Sequence, residues 1–508
     1  SKDNDILSAS VVERMTTPHS PPGEKKLRGL GWVINSASSS DQSMLFPLDT
    51  YGHTGYTGTS MWVDPVSGIY GIILTNRVHP EGKGDACPLR GKISLLVEKA
   101  TGRASDARML KAGLTYGIGY GSADSDRYQN TDKAKVQTGI DVLEAENFET
   151  LSGVRVGLIT NHSGLDSAGR RTMDLFYRQR GLELAAIFTP EHGLSGKLDE
   201  KVASSTDTNT GLPVYSLYGD SYRPTGKMLD GIDALVFDVQ DAGVRFYTYI
   251  TTMGYAMEEA AKRGIAFYVL DRPNPITAST VQGPIMDENL KSFVGYFPLP
   301  VRYGMTIGEL AKMFNAEFRI GAKLHVIKMR GYDRSEWYDE TGLPWVSPSP
   351  NLRSLTQAIL YPGVAMVEGA NVSVGRGTDT PFELLGAPWI KAKKLASYLN
   401  KRMIQGVVFK PVSFIPKRDR YKNKECHGVR VILTDRKRLD PTALGVEITS
   451  ALYRLFKKDF QLSKTLALIG SREVLYGIRE GRNPSSIARL WQGKLEQFLG
   501  LREKYLLY

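Results

Sequence analysis

A carboxylate beside an imidazole, Glu191-His192, lies in the segment Phe188-Thr189-Pro190-Glu191-His192-Gly193-Leu194. A carboxyl group among apolar neighbours favours its protonated form and can hand that proton to a departing oxygen, the work of a general acid. A second cluster, Asp238-Val239-Gln240-Asp241, offers two carboxylates able to activate water and an amide for a hydroxyl group. A third, Asp271-Arg272-Pro273-Asn274-Pro275, holds a carboxylate and an amide on a loop stiffened by two prolines, a fit for sugar hydroxyls. Asn161-His162-Ser163-Gly164 adds an amide and an imidazole. Helix capping or loop bracing is the plainer use of any one of these groups. Three polar side chains at Asp238, Gln240 and Asp241 exceed what capping needs.

Each cluster follows a short apolar run. Val156-Gly157-Leu158-Ile159-Thr160, Leu184-Ala185-Ala186-Ile187-Phe188, Ala234-Leu235-Val236-Phe237 and Ile265-Ala266-Phe267-Tyr268-Val269-Leu270 read as buried strands. Helical patterns over 170–180, 225–229 and 252–263 separate them. Alternating strands and helices predict an α/β, Rossmann-like, largely parallel sheet, in which ligands bind outside the carboxyl ends of the strands. The alternation continues with a helix over 306–318, a strand over 323–329, a helix over 392–403, a strand over 429–433 and a helix over 442–456. A boundary near 352–362 divides residues 137–355 from a smaller α+β domain at 356–508.

At 508 residues the chain is long enough for two to four domains, and no apolar run approaches the roughly 18 residues that span a bilayer. The opening Ser1-Lys2-Asp3-Asn4-Asp5 lacks a signal peptide's apolar core. A net charge of +11 suits an anionic partner, but the basic residues are dispersed and no nucleic-acid-binding signature accompanies them. Cys87 and Cys426 read as free thiols. His162, His192 and His325 have no metal-ligand spacing, so no metal is expected. The turn after the first strand lacks Gly-x-Gly-x-x-Gly, which argues against a dinucleotide, and no cofactor is expected.

Residues 1–104 read as a separate α+β unit. Strands at 31–34, 60–64 and 70–76, a turn at 64–68 and a terminal helix at 93–100 are expected. Tyr51-Gly52-His53-Thr54-Gly55, followed by the strand pair and Thr75-Asn76-Arg77, resembles the C-terminal end of class C β-lactamase-related serine hydrolases. The nucleophile motif Ser-x-x-Lys is missing from these residues, so this partial segment has no means of forming an acyl-enzyme. Residues 105–136, rich in Gly, Ser, Asp and Lys, read as a linker.

From Gly139 onward the motifs come in a fixed series: Gly157 to Gly164, Thr189 to Gly193, Phe237 to Tyr249, Asp271 to Pro275, Arg302 to Thr306, Pro348 to Asn351, and Glu368 to Thr378. This part of the chain resembles the NamZ-type exo-β-N-acetylmuramidases. The resemblance implies a Rossmann-like subdomain and a smaller C-terminal one with the site between them. It implies release of N-acetylmuramic acid from the non-reducing end of peptidoglycan fragments, in the periplasm or outside the cell. It places the proposed catalytic glutamate at Glu191. The catalytic counterpart stays open: Asp238 or Asp241 could activate water, or the substrate's 2-acetamido group could attack. The sugar's lactyl carboxylate calls for a guanidinium, and Arg245 and Arg376 are the candidates. Asn161, His162, His192, Gln240, Asp271, Asn274, Asn371 and Ser373 are expected to bind the sugar, with Tyr247 and Tyr303 stacking on its face. A non-catalytic peptidoglycan-binding protein and a serine hydrolase fusion are the rival readings.

Overall fold

The apolar runs do form strands. The computed structural model describes residues 9–17, 19–20, 27–34, 51–64, 69–76, 78, 93, 136–196 and 203–508. They belong to two compact units, Ser1–Asp132 and Lys133–Tyr508. In the first unit a helix, α1 (Ala9–Thr16), accompanies a five-stranded antiparallel sheet in which each strand pairs with the next. Its strands are β1 (Leu27–Arg28), β2 (Val33–Ile34), β3 (Tyr51–Thr54), β4 (Ser60–Asp64) and β5 (Ile69–Ile73). His53 lies in β3 opposite Met61 of β4. The expected linker up to residue 135, and all but Ile93 of the expected terminal helix, lie outside the described residues.

In the second unit α2 (Gly139–Ala145) leads into β6 (Arg155–Thr160), α3 (Thr172–Arg178) and β7 (Glu183–Thr189). Next come β8 (Ser205–Thr206), β9 (Pro213–Ser216), β10 (Ala234–Asp238), α4 (Tyr249–Arg263) and β11 (Ala266–Leu270). A two-stranded ribbon, β12 (Gln282–Ile285) with β13 (Pro300–Arg302), precedes α5 (Ile307–Glu317) and β14 (Lys323–Ile327). The main sheet runs β14-β11-β10-β6-β7-β9-β8, and every neighbouring pair except β8 with β9 is parallel. The chain steps outward from β6 through β7 to β9, then returns to the other side of β6 at β10. That reversal opens a crevice beyond the carboxyl ends of β6 and β10, where a doubly wound sheet binds ligands.

Polypeptide after α6 (Leu355–Val364) forms a three-stranded antiparallel sheet, β15 (Leu384–Ala387), β17 (Cys426–Leu433) and β16 (Val407–Phe414), with α7 (Ala392–Lys401) and α8 (Pro441–Leu455). Four short helices finish the chain: α9 (Leu466–Ile469), α10 (Arg472–Arg479), α11 (Pro484–Ala488) and α12 (Gln492–Arg502). The expected boundary at 352–362 is occupied by α6, whose residues from Gln357 to Val364 are all buried. One apolar core runs from Phe237 and Phe267 of the sheet through Tyr361 of α6 to Leu444 and Trp491 near the C-terminus. Gly363 and Gly445 allow α6 and α8 to touch; a Cβ on Gly363 would stand 2.0 Å from the Pro441 carbonyl oxygen. Cys426 is a buried free thiol, and no helix among the described residues is long and apolar enough to cross a membrane.

Candidate active site

β7 ends at Thr189, and Pro190 removes the donor that would extend it. His192 and Gly193 both take positive φ, 74° and 68°, so the chain turns back and presents Glu191 at the tip. Such a backbone at a histidine is unusual and is held by its surroundings. The Thr248 hydroxyl donates to Glu191 Oε2 at 2.6 Å, and the Tyr218 hydroxyl lies close enough to feel the charge of this carboxylate. Thr248 caps α4, so Glu191 meets the positive end of a 15-residue helix. Burial and the Glu191 charge push the Tyr218 hydroxyl well above the ordinary range, which keeps it a donor.

Glu191, His192, Phe246, Tyr247 and Thr248, together with Ser349, Tyr361, Glu368, Arg376 and Phe382, line a pocket of about 70 Å³. Glu368 and Arg376 also line a larger cavity of about 410 Å³ with Ser373, Arg418, Asp419 and Arg420. Arg376 is gripped on both sides, its Nη1 2.6 Å from Glu368 Oε1 and its Nε 2.7 Å from Asp419 Oδ2. Gly375 and Gly377 flank it with φ near 80°. A Cβ on Gly377 would lie 2.4 Å from the Arg418 carbonyl oxygen, so only glycine lets the loop after β16 rest on this turn. Burial pushes the Glu368 carboxyl above its ordinary value, and Arg376 pulls it partly back.

Of the residues expected to act, Glu191, His192, Tyr247, Ser373 and Arg376 line these two spaces. The others are turned into the protein. Asp238, expected to activate water, is fully buried and clamped by Arg272, whose Nε and Nη2 stand 2.6 and 2.8 Å from its two oxygens, while Thr172 donates to it as well. Asp241 accepts from Gly243 N and from the Tyr303 hydroxyl, which commits Tyr303 to bracing rather than stacking. Gln240 Nε2 donates to the carbonyls of Asp241 and Pro273. Asp271 takes Arg272 N, Gly308 N and the hydroxyls of Thr306 and Tyr508, fastening the start of α5. Asn274 bridges Met305 O and Ile276 N.

Asn161 orients Tyr249 and closes the turn at Ser163, His162 Nε2 meets Ser347 O at 2.6 Å, and Asn371 ties Asp459 O to Gln461 N. Arg245, expected to reach a substrate carboxylate, is wholly buried; its guanidinium donates to the carbonyls of Pro284, Leu299, Leu468 and Ile469. Sequence reasoning passed over Thr248, Tyr218, Tyr361, Glu368, Arg418 and Arg420. Glu368 opens the very motif from which Arg376 was taken, and Thr248 lies between two tyrosines that drew attention first.

A doubly wound α/β sheet here carries carboxylates and an arginine in a pocket near its strand ends, where such sheets bind ligands. Models of the exo-β-N-acetylmuramidase NamZ match this chain, the N-terminal one over residues 156–356 and the C-terminal one over 359–508. The peptidoglycan β-N-acetylmuramidase NamZ of Bacillus subtilis is 43% identical over 392 residues, which cover 76% of this chain and 94% of that protein. Two crystal structures of DUF1343 family proteins from Bacteroides fragilis align with TM-scores of 0.69 and 0.62 at 36% and 31% identity, each covering 74% of this chain and 99% of the other. A β-lactamase model matches residues 2–95. The chain belongs to the NamZ exo-β-N-acetylmuramidase family, and it carries a β-lactamase-related segment ahead of the family's two domains.

Proposed function

We propose that this protein is a glycoside hydrolase that releases N-acetylmuramic acid from the non-reducing end of peptidoglycan fragments, in the periplasm or outside the cell. One observation carries the reading: in a chain of this family, a carboxyl group and a guanidinium, those of Glu191 and Arg376, line a single pocket. Glu191 protonates the glycosidic oxygen as the bond to the anomeric carbon breaks. Thr248 holds its carboxyl in place, which spends positioning energy in the fold and not during the reaction. Arg376, with Arg418 and Arg420 across the larger cavity, takes the lactyl carboxylate that distinguishes this sugar from N-acetylglucosamine. Phe246, Tyr361 and Phe382 supply the apolar wall for the sugar face. Asp238, Asp241, Asp271, Asn274 and Arg245 lock the loops beneath.

Incubation with a chromogenic β-N-acetylmuramide beside the matching N-acetylglucosaminide tests this. Release from the muramide alone, abolished in Glu191→Gln, is expected. Equal release from both sugars would refute lactyl recognition, and full activity in Glu191→Gln would refute the acid.

A further inference from the structure

Glu191 protonates the leaving oxygen, and hydrolysis then needs a group to take a proton from the attacking water. Among the residues lining the small pocket, only Glu191 and Glu368 carry carboxylates. They come from separate segments of the chain. Glu191 stands at the end of β7, and Glu368 follows the 3₁₀ turn Ala365–Val367 that extends α6. The two carboxylates sense each other's charge. The carboxylate rivals read from sequence are spent: Asp238 is consumed by Arg272, and Asp241 does not line the pocket and is bonded by Tyr303; attack by the 2-acetamido group is the route that the azide product below distinguishes.

We propose that Glu368 is the catalytic counterpart of Glu191, accepting a proton from the water that attacks the anomeric carbon. The assignment rests on the muramidase reading above. Water's oxygen forms the new bond to the anomeric carbon as the glycosidic bond breaks. One water proton goes to Glu368, and the Glu191 proton goes to the leaving oxygen. A single displacement of this kind turns a β-glycoside into an α-hemiacetal.

Glu368 is arranged for the task. Its Oε1 accepts from Arg376 Nη1 at 2.6 Å, and Oε2 makes no hydrogen bond to any described residue. Its side chain is 23% exposed, so that oxygen is open to the cavity. Arg376 aims the carboxylate and partly offsets the effect of burial. Burial and the neighbouring Glu191 push its pKa up, and a carboxylate with a raised pKa is a stronger base near neutral pH.

The test compares 4-nitrophenyl and 2,4-dinitrophenyl β-N-acetylmuramides with the full chain, Glu368→Ala and Glu191→Ala, each with and without sodium azide. For Glu368→Ala, kcat should fall about 10²- to 10⁴-fold on both substrates alike. Azide, which needs no base, should restore turnover and yield the α-glycosyl azide. For Glu191→Ala, the loss should shrink on the better leaving group. Four results would overturn the assignment: Glu368→Ala within threefold of the parent, a loss that azide does not relieve, a loss that shrinks with the better leaving group, or a β-azide. If Glu368→Ala does not fold, the near-isosteric Glu368→Gln gives the same leaving-group comparison. A parent chain that hydrolyses neither muramide would instead overturn the function, and the role of Glu368 with it.

Discussion

Replacing Asp238 by Asn separates a brace from a catalyst. Both partners of the Asp238–Arg272 pair are out of water, with side chains 0% and 5% exposed. Asn keeps the shape and the Thr172 contact but removes the charge that neutralises Arg272. Breaking a buried pair from one side costs about 3–5 kcal/mol, because the remaining charge is left uncompensated. Unfolding entropy near 2.1 cal/mol/K per residue over a unit of roughly 370 residues gives about 0.8 kcal/mol/K, so the melting temperature should fall by ~4–6 °C. Scanning calorimetry reads this directly. At temperatures well below melting, kcat should stay within about tenfold of the parent, since Asp238 touches only Arg272, Thr172 and the turn. Glu191→Gln should show the opposite pattern, a melting temperature within about 2 °C and a kcat lower by 10²-fold or more. Pairing Asp238→Asn with Arg272→Met should recover part of the lost stability. An Asp238→Asn protein that melts within 1 °C of the parent while losing about 10³-fold in kcat would refute the bracing role and return Asp238 to the chemistry.

Arg376→Gln should raise KM for the muramide about 10- to 100-fold, the value of a charge-assisted contact, and lower kcat as well, because Glu368 loses the guanidinium that holds it; Michaelis curves on the muramide read both. Thr248→Val removes the donor to Glu191 Oε2 and should lower kcat roughly tenfold, whereas Thr248→Ser, which keeps the hydroxyl, should retain it. Burial pushes Asp241 up to about 6 from 3.8, so its proton favours the folded state. The stability that proton gives is complete below pH 4, is lost as pH rises to about 6, and stays lost above. Asp241→Asn places an amide nitrogen where Oδ1 has no hydrogen-bond partner. The unfolding free energy of this variant relative to the parent should therefore swing by about 3 kcal/mol in its favour between pH 4 and pH 7, as read from urea midpoints. A difference that stays constant with pH would remove Asp241 as the titrating group.

The parallel strands were legible because burial on both faces writes them as unbroken apolar runs, as at Leu235 to Phe237. β9 escaped notice: Pro213-Val214-Tyr215-Ser216 is only four residues long and near the sheet's edge. β16, Val407–Phe414, alternates buried and exposed positions around Pro411 and so lacks the continuous pattern. The boundary read near 352–362 falls where the two family models divide, at 356 and 359, and the structure places α6 across it with Pro362 accommodated in its last turn. Glu191 was legible from its place at a strand's end. Thr248 and Glu368 were not, because they join it from segments 57 and 177 residues away.

Polar residues at the ends of β6, β10 and β11 look alike in sequence, yet nearly all of them turn inward. The reason lies in what the crevice must hold. Loops at the sheet's rim carry backbone donors and acceptors that water cannot reach, and each needs a partner. Asn161, Gln240, Asp271 and Asn274 supply those partners. Arg245 does the same over a longer reach, joining the loop after β10 to the carbonyls of Leu468 and Ile469 at the C-terminal end of α9. Arg436, after β17, holds Asp339 and Glu340 at 2.6 and 2.8 Å. With a continuous apolar core and these bonds between them, the two walls of the cleft form one body and not two hinged lobes. Glu191, Glu368 and Arg376, which line one pocket, are thereby held by the fold itself. Charge preorganised in this way can stabilise a transition state without rearrangement. The inward-turned polar residues at the strand ends are what hold the loops that carry it.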